Sequence, residues 1–156
     1  MPSFFARFAL VAAAALALAA GPAAAKPVRV ALVIGNAAYK DAPLANPLND
    51  AADIARALEA AGFTVVRRDN ASLKEMHLAL REFGDKLTRE ATGLFYYAGH
   101  GMQVRGRNFL LPVDAEIARE DEVVFSALDL NAVLEKMDTA RNPLNILVLE
   151  IGRAHV

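Results

Sequence analysis

The chain has 156 residues, a length typical of one domain, with 17 basic and 18 acidic residues and a net charge of −1. This balance argues against a polybasic nucleic-acid surface, and no run of like charges indicates binding to anionic lipid. The chain contains no cysteine, which excludes a disulfide framework, a thiolate metal site and, as written, any thiol nucleophile.

The first 25 residues have the pattern of a secretory signal peptide. Arg7 is followed by an apolar run at 8–20 and by a small-residue cleavage site that ends before Lys26. That run of about 13 residues is shorter than the roughly 20 that a membrane-spanning helix needs. We therefore expect cleavage after Ala25 and a periplasmic or secreted protein without further membrane contact. Its net charge would be −2, because only Arg7 is lost. An uncleaved anchor is the alternative.

The remaining chain alternates strand and helix patterns. Residues 28–34 (VRVALVI) form a β-branched run typical of a strand buried in a parallel sheet. Residues 49–61 present an apolar face at helical spacing and end at Gly62, which predicts a helix with a glycine C-cap. Residues 64–68 predict a second strand. A capping box at Ser72 begins a second helix, which extends to about residue 87.

The second half of the chain continues the alternation. A third strand at 93–98 runs into Gly99-His100-Gly101, and a hairpin that turns at Gly106 follows. Residues 128–137 predict a helix, and residues 144–149 (LNILVL) predict a fourth buried strand. This order predicts an α/β fold with a doubly wound, mostly parallel sheet flanked by helices. Sites in such sheets form beyond the carboxyl ends of the strands.

His100 is the residue with the clearest chemical potential. Glycine on both sides lets the backbone turn sharply and lets a substrate approach, which suits an imidazole acting as general acid or base. The alternative is an ordinary turn residue. His77 lies on a predicted helix between apolar neighbours, and we interpret it as a surface or boundary side chain.

The loop after the first strand contains a second group of polar residues. Asn49 or Asp50 is suited to cap the helix that follows, which is a purely structural interpretation. The position of the loop nevertheless puts Asp50 on the same rim of the sheet as His100.

Together these segments resemble the caspase-fold cysteine peptidases, in particular the large catalytic subunit of the bacterial metacaspase-like branch. The resemblance covers nearly all of the predicted mature chain. The matching stretches are VALVIGN (30–36), Tyr39, LANPLNDA (44–51), LEAAGF (58–63), FYYAGHG (95–101), NFLLPVD (108–114) and NILVL (145–149).

The resemblance implies a Cys-His dyad, with the cysteine at the end of the fourth strand. In caspases the histidine lies about 50 residues before the cysteine, and counting 52 positions from His100 reaches Gly152. The LEIGR segment around Gly152 stands where the family has Leu-Asp-Ala-Cys-Arg. The resemblance also implies that the backbone N–H of Gly101 helps to hold the oxyanion.

The family's substrate pocket maps onto two acidic residues. Asp50 and Glu150 stand where the metacaspase-like branch has carboxylates that receive a basic side chain, which implies cleavage after Arg or Lys. Two departures bear on this implication. Ala98 replaces a frequent small hydroxyl residue, and Glu150 is one methylene longer than the usual Asp. The resemblance implies a peptide or protein substrate and no metal or other cofactor.

Two hypotheses account for the missing cysteine. In the first, Gly152 makes the chain a catalytically dead binding module. In the second, residues 150–156 are a non-native tail, since they can be encoded by GAGATCGGAAGAGCACACGTC, which contains a common sequencing-adapter sequence. The domain at 26–149 would then be the N-terminal portion of a peptidase whose small-subunit portion is missing, and Glu150, Arg153 and His155 would have no chemical role. We favour the second hypothesis.

Overall fold

The computed structural model describes residues 26–153. The predicted signal peptide at 1–25 and positions 154–156 of the predicted tail lie outside the described residues. No helix within 26–153 combines the length and the apolar character that crossing a membrane requires.

Six strands and four helices make up this part of the chain. The strands are β1 (Arg29–Gly35), β2 (Thr64–Asp69), β3 (Thr92–Val104), β4 (Arg107–Leu110), β5 (Leu128–Asp129) and β6 (Leu144–Arg153). The helices are α1 (Pro47–Ala60), α2 (Leu73–Lys86), α3 (Val123–Ser126) and α4 (Leu130–Thr139), with a 3-10 turn at Glu120–Glu122 before α3.

The strands form one mixed sheet, in which β2, β1, β3 and β6 are parallel neighbours. β4 pairs antiparallel with the end of β3, and β5 pairs antiparallel with β4. β6 pairs with β3 from Thr92 to Gly101, so β1 and β4 share the opposite edge of β3. The predicted α/β architecture with a mostly parallel sheet is confirmed.

Helices pack on both faces of the sheet. On one face Ala51 and Ala55 of α1 contact a cluster that includes Tyr96. On the other face α2 and α4 enclose a larger core that includes Phe95 and Tyr97. Successive side chains of β3 thus serve opposite layers, as strand alternation requires. This alternation puts His100 on the α1 side, in step with Tyr96.

Two predicted helix starts differ from the structure. The first helix begins at Pro47, with Asn46 as its N-cap, so the prediction that Asn49 or Asp50 is the cap is wrong. Proline suits the first helical position because its fixed φ matches the helix. Its missing N–H costs no hydrogen bond there, since the first N–H groups of a helix have no partner within the helix. Residues 128–129, predicted as helix, pair with β4 instead and α4 begins at Leu130. The capping box at Ser72 is present as predicted.

The third strand is longer than the pattern predicted. β3 continues through Gly99-His100-Gly101 to Val104 and forms the predicted hairpin with β4. The chain turns at Arg105 and Gly106, both of which have positive φ. The sharp turn expected at the glycines beside His100 is therefore wrong, because pairing with β4 and β6 keeps that segment extended.

Candidate active site

His100 lies inside the sheet at the point where β1 has ended and β4 has begun. Its side chain is 6% exposed. Nδ1 lies 3.0 Å from the carbonyl oxygen of Gly152, and Nε2 lies 2.8 Å from the carbonyl oxygen of Ala42. A neutral imidazole has one N–H, so its tautomer decides which of the two carbonyls receives a hydrogen bond.

Gly152 lies directly opposite His100 in the register between β3 and β6. A Cβ built on Gly152 would lie 3.6 Å from Nδ1 of His100 and 3.5 Å from the Leu44 side chain. Both separations are ordinary van der Waals contacts. Position 152 thus accepts a side chain without displacement, and that side chain would start beside the histidine ring.

The two glycines that flank His100 both have close neighbours. A Cβ on Gly99 would lie 2.6 Å from the Tyr97 hydroxyl and 2.7 Å from the Tyr39 hydroxyl. A Cβ on Gly101 would lie 2.8 Å from the Ile151 side chain. Neither glycine has a positive φ. Close packing under the histidine, rather than backbone freedom, therefore explains the glycine at position 99.

Two tyrosines fix the backbone of His100. The Tyr39 hydroxyl accepts the N–H of His100 at 2.9 Å and donates to the carbonyl of Leu111 at 3.0 Å. The Tyr97 hydroxyl lies 2.7 Å from the carbonyl oxygen of His100, to which it donates, and 3.1 Å from the Tyr39 hydroxyl. The Tyr39 ring also lies against the imidazole, with 4.5 Å between ring centroids. Burial raises the pKa of both tyrosines, so both stay neutral donors.

Asp50 and Glu150 lie on the same face of the sheet as His100. Glu150 pairs in register with Ala98, two positions before the His100 pair. The Tyr96 hydroxyl donates to its carboxylate at 2.7 Å. Burial raises the pKa of Tyr96, and the carboxylates of Glu150 and then Asp50 raise it further. Both predicted pocket residues therefore raise the pKa of one buried tyrosine, which lies on the same face of β3 as His100.

The remaining candidates have simpler surroundings. Gly101 is the strand residue after His100 and pairs in register with Leu110 and Arg153. His77 is exposed on α2, as its sequence neighbours predicted. Over residues 26–153, no three His, Asp or Glu side chains converge in a way that could hold a metal ion.

Sequence reasoning missed two partners of His100. Ala42 acts through its backbone carbonyl, for which a side-chain pattern offers no signal. Tyr39 stood among the residues that carried the family resemblance, but its spacing gave no indication that its hydroxyl would receive the His100 N–H.

Comparison with known proteins agrees with this architecture. Residues 28–151 match the family model described as the caspase domain. The chain is also 35% identical over 126 residues to human mucosa-associated lymphoid tissue lymphoma translocation protein 1 and, to the same extent, to the mouse homolog. The aligned segment covers 80% of this chain and 15% of the length of each relative.

Proposed function

This chain belongs to the caspase family, and on that premise we propose that the native protein is a cysteine endopeptidase with a Cys-His dyad. His100 is the base of the dyad, and position 152 is the site of the nucleophilic cysteine. With glycine at that position the polypeptide has no thiolate, so we expect it to be inactive as written.

The observation that carries this proposal is the contrast between two glycines. Gly99 is needed because a Cβ there would collide with the Tyr97 and Tyr39 hydroxyls. Gly152 has no such need, since its Cβ would make ordinary contacts and lie 3.6 Å from Nδ1 of His100. A cysteine fits this position, and its sulfur, one bond beyond Cβ, would be within reach of the imidazole.

The contacts of His100 support a complete catalytic cycle. The Ala42 carbonyl accepts from Nε2 and orients the ring, so that Nδ1 takes the thiol proton. The thiolate attacks the scissile carbonyl carbon, and the electron pair of the C=O bond moves onto oxygen, where the N–H of Gly101 helps to hold it. The imidazolium then protonates the leaving nitrogen as the C–N bond breaks. Water, deprotonated by the neutral imidazole, hydrolyses the thioester and restores the thiol.

We further propose that cleavage follows Arg or Lys. Burial is the main cause that raises the pKa of Tyr96, and the carboxylates of Glu150 and Asp50 both lie close enough to raise it further. The hydrogen bond from Tyr96 orients the Glu150 carboxylate. Two carboxylates on the α1 face, next to the dyad, suit a guanidinium or ammonium group. If residues 150–156 are a non-native tail, Asp50 alone of the two acids supports this specificity.

The competing function is a catalytically dead binding module. The observation in its favour is the glycine that the sequence carries at position 152. The space around this position shows no structural need for glycine. This favours the peptidase over the binding module. Secretion or export to the periplasm is part of the proposal, and it depends on the predicted signal peptide.

Two measurements test the proposed function. Genomic DNA read across codons 145–160 should show a cysteine codon at position 152. The gene product should hydrolyse peptides that end in Arg or Lys before a fluorogenic group, and not the matching Asp peptides. His100→Ala should abolish turnover, and Asp50→Asn should weaken selection of Arg. Asp53→Asn, at an exposed position of α1, should do neither. A glycine codon and an inactive gene product would support the binding module instead.

A further inference from the structure

A cavity of about 890 Å³ opens beside His100, and neither Asp50 nor Glu150 is among the described residues that line it. Its walls come from the loop after β1 and from the segment between β4 and β5. His100 and Met102 contribute the part of the wall that belongs to β3. The cavity is therefore continuous with the dyad but separate from the two acidic residues on the α1 side.

Strand alternation gives the cavity a defined place along a bound peptide. Tyr96, His100 and Met102 project from the same face of β3, and each two-residue step is about 6.6 Å. Tyr96 contacts Glu150 at one end of this row, and Met102 lines the cavity at the other. A peptide with its scissile bond at His100 and its preceding side chain near Glu150 would extend its following residues into the cavity.

The lining has the chemistry of a pocket for a basic side chain. Its floor is apolar, because Tyr39, Met102 and Ile117 pack on a small core beneath it. Phe125, at the wall, is 81% exposed. An exposed aromatic ring can cover the aliphatic stem of lysine or arginine and attract its cationic end. The charged side chains of the lining are the acids Asp41, Asp114, Glu116 and Glu122 and the base Lys40.

Two of the four carboxylates already have structural partners. Asp114 accepts the backbone N–H of Leu73, and Glu122 accepts those of Ala118 and Arg119. Among the contacts of residues 26–153, Asp41 and Glu116 make neither a hydrogen bond nor an ion pair. These two acids are thus available to a ligand. The carboxylates do not converge as a metal site would require, so a long cationic side chain suits them better than a metal ion.

We propose that this cavity binds a basic side chain within the first two residues after the scissile bond. The inference rests on the proposed function, because it takes the dyad as the reaction centre. It adds a second selection step to the one at Asp50 and Glu150. Substrates would then carry basic residues on both sides of the cleaved bond.

Peptide binding to the full gene product, with glycine at position 152, tests the inference without catalysis. Three labelled peptides share Ala-Ala-Arg and continue with two lysines, two norleucines or two glutamates, and fluorescence anisotropy measures their affinities. We expect the lysine peptide to bind about fivefold more tightly than the norleucine peptide, as two partly exposed ion pairs would allow. The glutamate peptide should bind most weakly, and 0.5 M salt should remove the differences because it screens the charges.

Variants locate the effect. Asp41→Asn combined with Glu116→Gln should remove the preference for lysine and leave the affinity for the norleucine peptide unchanged. Asp53→Asn, which removes an exposed acid on α1, should change neither. Equal affinities for lysine and norleucine, no measurable binding of any peptide, or an equal loss in the control variant would overturn the inference. Charge-dependent binding by a protein whose gene product never hydrolyses peptides would refute the proposed function alone.

Discussion

The imidazole of His100 faces the backbone of Gly152 across two parallel strands, with Nδ1 3.0 Å from the glycine carbonyl oxygen. The two residues are 52 positions apart in the chain and form one register pair. The long separation is bridged by the hairpin, α3 and α4, which carry the chain from the end of β3 back to the start of β6. Strand pairing alone therefore brings the proposed base and the proposed nucleophile position together.

Gly152→Cys should create a thiol with a lowered pKa. The new sulfur would lie near Nδ1 of His100, and an imidazolium beside a thiolate favours the charged pair. We expect the midpoint of the rate of alkylation by iodoacetamide against pH to fall below about 8.5, the usual pKa of a cysteine. His100→Asn in the same background should return it to the usual value.

A matched control for this thiol is Leu134→Cys, which puts a cysteine on the half-exposed surface of α4. Its alkylation should follow the ordinary cysteine titration and should ignore His100→Asn. If the thiols at positions 152 and 134 titrate alike, the dyad geometry does not operate in solution.

Tyr39→Phe should destabilise the protein by about 1–3 kcal/mol. The substitution removes the acceptor of the His100 N–H, which is then left buried without a partner. Urea unfolding measures the change in the free energy of unfolding. Tyr96→Phe is the matched control, because it removes one hydrogen bond to the exposed Glu150, which water can replace. A smaller loss for Tyr39→Phe than for Tyr96→Phe would contradict the role assigned to Tyr39.

The parallel core of the sheet could be predicted because its strands are buried on both faces. Such strands consist of continuous apolar runs, and β1 and the first half of β3 read in this way. The extension of β3 beyond Ala98 could not be predicted. Its glycines and His100 break the apolar pattern, and they stay extended because β4 and β6 supply pairing partners from distant parts of the chain.

The candidate site likewise contains residues that could be predicted from the sequence and residues that could not. His100 and Asp50 were candidates because their residue types and motifs resemble a known family, and position 152 was a candidate because of its distance along the chain from His100. The carbonyl of Ala42 was not a candidate, because every residue has a backbone carbonyl and the sequence does not show which one will face the histidine. The hydroxyl network of Tyr39 and Tyr97 depends on three segments that meet in space, and no local pattern encodes that meeting.

Gly99→Ala should destabilise the protein by about 1–3 kcal/mol, the usual cost of overpacking a filled site. Its Cβ would collide with two hydroxyls that are held by hydrogen bonds and cannot withdraw without breaking them. Gly84→Ala is the control, because its Cβ would meet only the flexible Lys136 side chain and alanine favours helix α2. Urea midpoints should fall for the first variant and stay equal or rise for the second. Similar losses at both positions would show that the contact with the tyrosines is not the cause.

Glu75→Ala should lower stability at neutral pH and lose its effect in acid. Hydrogen bonds from the N–H and hydroxyl of Ser72 lower the pKa of the Glu75 carboxyl below its usual 4.5. The ionised form therefore favours the folded state. That contribution is fully present above about pH 4.5 and disappears as the pH falls through the lower pKa of the folded state. Urea unfolding of both proteins between pH 3 and pH 7 measures the difference, with Asp85→Ala near the end of α2 as the control. A difference that is constant over this range would mean that the side chain acts through helix propensity and not through its charged contact with Ser72.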